Sequence, residues 1–332
     1  MWVHKDLPEA IEISKKILTR MLGLLPGASV LFLADSTTDL NVIQAFSSAS
    51  ESLGAEVFTF FKKPHEKLLS EFPRPLAELV KYVDVYFNFC HHPHGVHTLS
   101  SRVARQEYGT RYIAAPRINM EALLSPALQV DPDTLMHYGE GLREKLIEGK
   151  VKITSKNGTN FTCEIQKAAT ATHQEYGVAD DYGMFAALPA GAQHLHQVPG
   201  TVNGDIVFDR IHYHGFVKPL VRFSLQNDRV VNVTGGPDGL AKELFEKIKS
   251  IENADYMGEM GFGVNPYIKP GWQWQSKLFY SRMCGAMHIG FGESREYGGT
   301  VRSSTLDVHG LISPKIEVGN KVIVENNEIF ID

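Results

Sequence analysis

Between Leu7 and Leu25 the apolar residues Ile11, Leu18, Met21, Leu22 and Leu25 recur at the spacing of one helix face, and Pro26-Gly27 halts the pattern. Ser29 to Ala34 follows as an unbroken apolar run, the mark of a strand buried on both faces of a parallel sheet. Asp35-Ser36-Thr37-Thr38-Asp39 supplies helix-capping residues, and a helical pattern runs from there to about Gly54. Further strands are predicted at Glu56–Phe61, Val83–Phe89 and Arg111–Ala115. Strand–helix alternation of this kind predicts an open, doubly wound α/β sheet. Ligands of such sheets sit beyond the carboxyl ends of the strands, which here are Asp35–Asp39 and the turn after Phe89.

Beyond residue 150 the pattern shortens to period two. Val151–Thr154 and Phe161–Ile165 flank Asn157-Gly158, a hairpin signal. Alternating runs recur at Asp205–Tyr213, Val221–Leu225, Val230–Val233, Met287–Phe291 and Val318–Ile331, with one clear helix at Leu240–Ile251. The chain is therefore expected to form an α/β domain over residues 1–130 and a mostly β, α+β domain over residues 131–332. A helix from about Asp133 to Glu148 bridges them.

Composition narrows the function. The 332 residues carry 33 Lys plus Arg against 38 Asp plus Glu, a net charge of −5 without a basic block, so no nucleic-acid partner is expected. Cys90, Cys163 and Cys284 form neither a C-x-x-C pair nor an even disulfide framework. With no signal-peptide pattern and no long apolar span, no membrane association is expected, and a reducing, cytoplasmic location is.

Four constellations can carry chemistry. Cys90-His91-His92-Pro93-His94-Gly95-Val96-His97 packs four histidines behind a predicted strand; each is either an acid/base group or part of a solvated loop. Glu259 sits in Met257-Gly258-Glu259-Met260-Gly261-Phe262-Gly263, where it needs a cation, a metal, or the amides of its own Gly-rich turn. In Ala286–Gly292, period two puts His288, Gly290 and Gly292 on one face, which leaves room beside the imidazole for a ligand or for another chain segment. In Ser303–Gly310 the same period aligns Thr305, Asp307 and His309, either a pair of metal ligands or an exposed polar edge.

In order along the chain, Glu175-Tyr176-Gly177-x-Ala179-Asp180, Pro189-Ala190-Gly191, Asn203–Asp209, Glu259-x-Gly261-Phe262-Gly263-x-Asn265-Pro266, His288–Gly292, Gly298-Gly299-Thr300 and Leu306-Asp307 resemble one superfamily. It contains the metalloaminopeptidases of the aminopeptidase T type and the iron-dependent 2,5-dihydroxypyridine 5,6-dioxygenases. The resemblance implies a homodimeric metal-dependent enzyme acting on a small molecule. Glu259, His288 and Asp307 match three peptidase ligands. Three other ligand positions read Ala192-Gln193, Arg295 and Thr305. Of the dioxygenase iron ligands only the aspartate, Asp307, is matched, while His91 aligns with that enzyme's acid/base histidine.

The expected function is thus a metal-dependent enzyme, hydrolytic rather than oxygenating, acting on a substrate bearing a carboxylate or a ring. Its divalent ion (Zn, Mn, Co or Fe) is held by Glu259, His288 and Asp307 with His309 in support. His91 serves as acid/base, and Arg295 binds a substrate carboxylate. Two alternatives stand beside it: a ring-cleaving non-haem iron dioxygenase, with His288 and His309 flanking Asp307, and a metal-free binder or diverged enzyme, in which Arg295 pairs with Glu259 or Asp307.

Overall fold

A computed structural model describes residues 4–64, 71–90, 98–167, 174–273 and 276–331. In chain order the strands are β1 (Ser29–Asp35), β2 (Glu56–Lys62), β3 (Val85–Asn88), β4 (Arg111–Ala114), β5 (Lys150–Thr154), β6 (Asn160–Glu164), β7 (Phe185–Ala187), β8 (Ala192–Leu195) and β9 (Asn203–Ile211). They continue as β10 (Gly215–Gln226), β11 (Arg229–Gly235), β12 (Met257–Gly263), β13 (Met287–Gly292), β14 (Leu306–Leu311), β15 (Lys315–Val318), β16 (Lys321–Glu325) and β17 (Glu328–Ile329).

The chain divides into two compact units. The first comprises residues 1–132 with 175–190 and 273–278; the second comprises 133–174, 191–272 and 279–332.

The first unit is built on a parallel sheet of order β2-β1-β3-β4-β7. β1 lies inside it, which is why Val30 to Ala34 is an unbroken apolar run, all of it buried. Phe32 and Phe87 pack with Phe46 of the helix Leu40–Ser52, with Phe32 and Phe87 centroids 5.4 Å apart. Tyr86 and Tyr112, one residue off in the period of two, stack at 4.6 Å among a separate buried cluster. The first helix, Leu7–Leu22, is shorter than its apolar spacing predicts, because Gly23 adopts φ 51° and ends it with a left-handed cap. Asp39 caps the helix Leu40–Ser52 by accepting from the Asn41 N–H. Asp35 spends one carboxylate oxygen on the Thr37 N–H and hydroxyl of its own turn.

The second unit carries a twelve-stranded sheet whose main path is β17-β16-β15-β5-β6-β9-β14-β13-β12-β8, with β10 and β11 joined through β9. Its pairs are antiparallel. The Gly-rich run around Glu259 is not a turn. It forms β12, every residue of which is buried, as is every residue of β13. The helix Leu240–Ser250 offers Leu240, Leu244 and Ile248 to the core, an i, i+4, i+8 stripe. Among the described residues, no helix is long and apolar enough to cross a membrane.

Candidate metal centre

Strand register decides which polar side chains meet. Gly261 of β12 stands opposite His194 of β8 on one side and opposite His288 of β13 on the other. Opposed residues of an antiparallel pair share a face, so His194, Gly261 and His288 form one row across three strands. Glu259, two residues from Gly261, lies on the same face opposite Gly290. Both glycines serve this convergence by lacking a side chain. A Cβ on Gly261 would fall 2.0 Å from the His288 ring, and one on Gly290 would fall 2.8 Å from Glu259 Oε2.

The three polar groups close on one point. Glu259 Oε1 is 3.3 Å from His194 Nδ1 and 3.1 Å from His288 Nε2. The two imidazole centroids are 5.2 Å apart, and Tyr297 packs against His194 at 5.1 Å. All three residues are at most 3% exposed. Burial pushes the Glu259 carboxyl up, but the two histidines outweigh it and hold the group well below the usual carboxylate range. Burial likewise lowers His288, to about 4 despite the opposing pull of Glu259, with the buried Arg282 adding to the fall. His288 is therefore neutral near pH 7, the form in which imidazole binds metals.

These residues fit a divalent ion. Among the described residues His194, Glu259 and His288 are the one group of three His, Cys or acidic side chains able to hold one, with donor atoms within 4.8 Å of one another. Bonds of about 2.0–2.2 Å to nitrogen and oxygen separate neighbouring donors by roughly 3 Å, close to the spacing seen. Glu259 Oε2 and His288 Nδ1 are buried without a hydrogen-bond partner, so the hydrogen bonding within the group leaves it incomplete.

Asp307 and His309 lie elsewhere. β13 pairs Phe291 with Asp307 and Ile289 with His309, on the face opposite His288. The sheet thus separates them from Glu259 and His288, and the four do not meet at one ion. Asp307 binds Lys247 Nζ at 2.5 Å and His212 Nδ1 at 3.2 Å. Burial raises its carboxyl, but those two partners outweigh burial and hold it well below the normal range. His309 accepts from the His212 N–H and packs between Phe208 and Phe223, a core histidine in its surroundings. Arg295 turns to neither Glu259 nor Asp307. Its guanidinium forks onto Glu293, with Nε–Oε1 and Nη2–Oε2 both 2.8 Å. His91 lies outside the described residues.

His194 escaped the sequence reading. β8 spans four residues and is buried throughout, so it shows no alternation. The available signal was His194-x-His196 just after Pro189-Ala190-Gly191, a placement that puts imidazoles on one strand face.

A parallel α/β unit and a large antiparallel sheet in one chain make a fold shared with two solved enzymes. One is the 2,5-dihydroxypyridine dioxygenase of Pseudomonas putida KT2440, with TM-score 0.70 and 15% identity over 98% of this chain and 97% of that one. The other is wild-type AmpT of Thermus thermophilus, with TM-score 0.70 and 15% identity over 98% of this chain and 99% of that one. No curated protein matches the chain. Residues 119–301, more than half of the chain, match the 2,5-dihydroxypyridine 5,6-dioxygenase family, and the chain belongs to it.

Proposed function

We propose that this protein is a mononuclear metal-dependent enzyme whose ion is held by His194, Glu259 and His288, and that it opens a hydroxylated ring with dioxygen. The convergence of two imidazoles and one ionised carboxylate carries this reading, because that donor set suits non-haem iron(II). Bound iron(II) would supply a Lewis acid and a means of activating dioxygen. The chain's own residues supply the rest. Glu259 stays ionised and contributes the single negative charge of the set. Tyr297 covers His194 and helps to exclude water.

Hydrolysis of an amide is the second reading, favoured by a fold match to AmpT as extensive as that to the dioxygenase. Its original support, an Asp307 ligand, is weakened by the position of Asp307 on the opposite face. Protein purified without chelator and reconstituted anaerobically with iron(II), zinc, manganese or cobalt separates the two. Oxygen uptake with a dihydroxypyridine in the iron form alone supports the first. Peptide cleavage in the other forms, without oxygen uptake, supports the second. Failure to take up any ion sinks both and leaves the metal-free reading.

A further inference from the structure

A cavity of about 190 Å³ is lined wholly by residues of the first unit. The helix Leu7–Leu22 gives it an apolar floor. Ile13, Ile17 and Met21 recur there at i, i+4 and i+8, and all three are buried. Leu128 of the short helix Pro126–Gln129 and Leu188 complete the floor, both buried. The segment after Glu175 supplies a wall. The Ala179 N–H donates to Met21 O at 2.7 Å and ties that segment to the end of the helix. Gly177, at φ 86°, runs so close to Ala190 that a Cβ would fall 3.1 Å from the Ala190 Cβ, and Tyr176 beside it lines the cavity. None of these residues belongs to the candidate metal centre.

The rim is cationic. Lys16 and Arg20 stand four apart on the helix face that carries Ile13 and Ile17; both line the cavity and both are exposed. Among the described residues that line it, none is acidic. Asp131 lies 3.7 Å from Arg20, but the two side chains are 51% and 52% exposed, and a pair so open to water binds weakly. Two cations against that one carboxylate leave a single net positive charge at the rim. Size limits the occupant further. An apolar cavity of about 150 Å³ holds one benzene ring, so this one takes a ring with a short polar arm.

We propose that this cavity binds a small monocarboxylate bearing a single ring. The ring lies on Ile17, Met21 and Leu128 beside Tyr176, and the carboxylate meets Lys16 and Arg20 at the rim. The guanidinium can grip both carboxylate oxygens, while the lysine adds a point charge. A ring amine is repelled by the same rim, and an uncharged ring forgoes the attraction.

Titration of the full chain with phenylacetate, followed through the methyl NMR signals of Ile13, Ile17, Met21 and Leu128, tests the proposal. Those signals are expected to shift together, with a Kd near or below about 1 mM. Phenylacetamide keeps the shape without the charge and should bind about tenfold more weakly, and phenethylamine should not bind. Lys16→Met/Arg20→Met is expected to bring phenylacetate down to the level of phenylacetamide and to leave phenylacetamide unchanged. Lys15→Met, outside the cavity, is the control and should change affinity less than about twofold. Circular dichroism confirms that each variant is folded; should the double variant misfold, the acid–amide comparison on wild type decides. Signals that stay fixed up to about 10 mM phenylacetate overturn the proposal, as do shifts confined to residues outside the cavity. Equal binding of acid and amide, or phenylacetate binding indifferent to the double variant, overturns it as well.

Discussion

His194 and His288 belong to strands that are not neighbours, yet their ring centroids lie 5.2 Å apart, because the strand between them carries Gly261 in that row. The missing side chain is the condition for the contact. Without it the two imidazoles would be held apart by whatever residue occupied β12.

Gly261→Ala is therefore expected to be costly at one methyl group. The new Cβ meets His288 Cε1 and Nε2 at 2.0 Å, inside a sheet where neither strand can give way. Overpacking of this kind costs about 1–3 kcal/mol, measurable by urea unfolding, and should displace His288 enough to lower metal uptake. Gly149→Ala, which meets only Val318 Cγ1 at 3.5 Å, is the matched control and should be close to neutral.

Metal stoichiometry distinguishes the two faces of the sheet. Glu259→Gln and His194→Ala should each abolish ion binding, as measured by elemental analysis after reconstitution. Asp307→Asn should leave it intact, since Asp307 shares its face with Ile289 and Phe291 rather than with His288. Loss of the ion in folded Asp307→Asn would place the centre on the wrong face.

Lys247→Met leaves the Asp307 carboxylate buried with His212 but without its ammonium. The lysine is partly exposed, so the loss should fall below that of a fully buried pair, at about 1–2 kcal/mol near neutral pH. Because the folded carboxyl sits below its unfolded value, its contribution is present above about pH 4 and is lost as the pH falls further. Denaturation at pH 7 and pH 3 should show a smaller acid-dependent loss in the variant than in wild type.

The Glu293–Arg295 fork gives a second acid-sensitive pair. Burial raises the Glu293 carboxyl, but the Arg295 hydrogen bonds outweigh it and hold it at about 2. The stabilisation is full above the unfolded value of about 4.3 and disappears as the pH falls through about 2. Arg295→Ala should cost no more than about 1 kcal/mol at pH 7, and the difference from wild type should close towards pH 2.

Much of the architecture was legible in local pattern. The apolar run at β1, the Asn157-Gly158 hairpin and the helix beginning at Leu240 all form where periodicity and turn chemistry put them. Within the candidate site, Glu259 and His288 stood out because glycines surrounded them. What pattern could not supply was register. Alternation correctly put Asp307 and His309 on one face of their strand, but only the pairing of β13 with β14 fixes that face as the one opposite His288. His194 was hidden for a related reason: a short strand buried on both sides leaves no polar alternation to read.

The parallel sheet holds one strand out of sequence. β7 closes it beside β4, yet β7 is reached roughly seventy residues after β4 ends, with the β5–β6 hairpin lying between them in the chain. On a ribosome adding about 5–20 residues per second, the outer edge of β4 thus waits roughly 4–15 s for its partner to be made. During that interval the nascent chain exposes unpaired amides along β4. The N-terminal unit cannot finish folding in the order in which it is synthesised, and a fragment ending at residue 132 lacks the strand that completes its sheet.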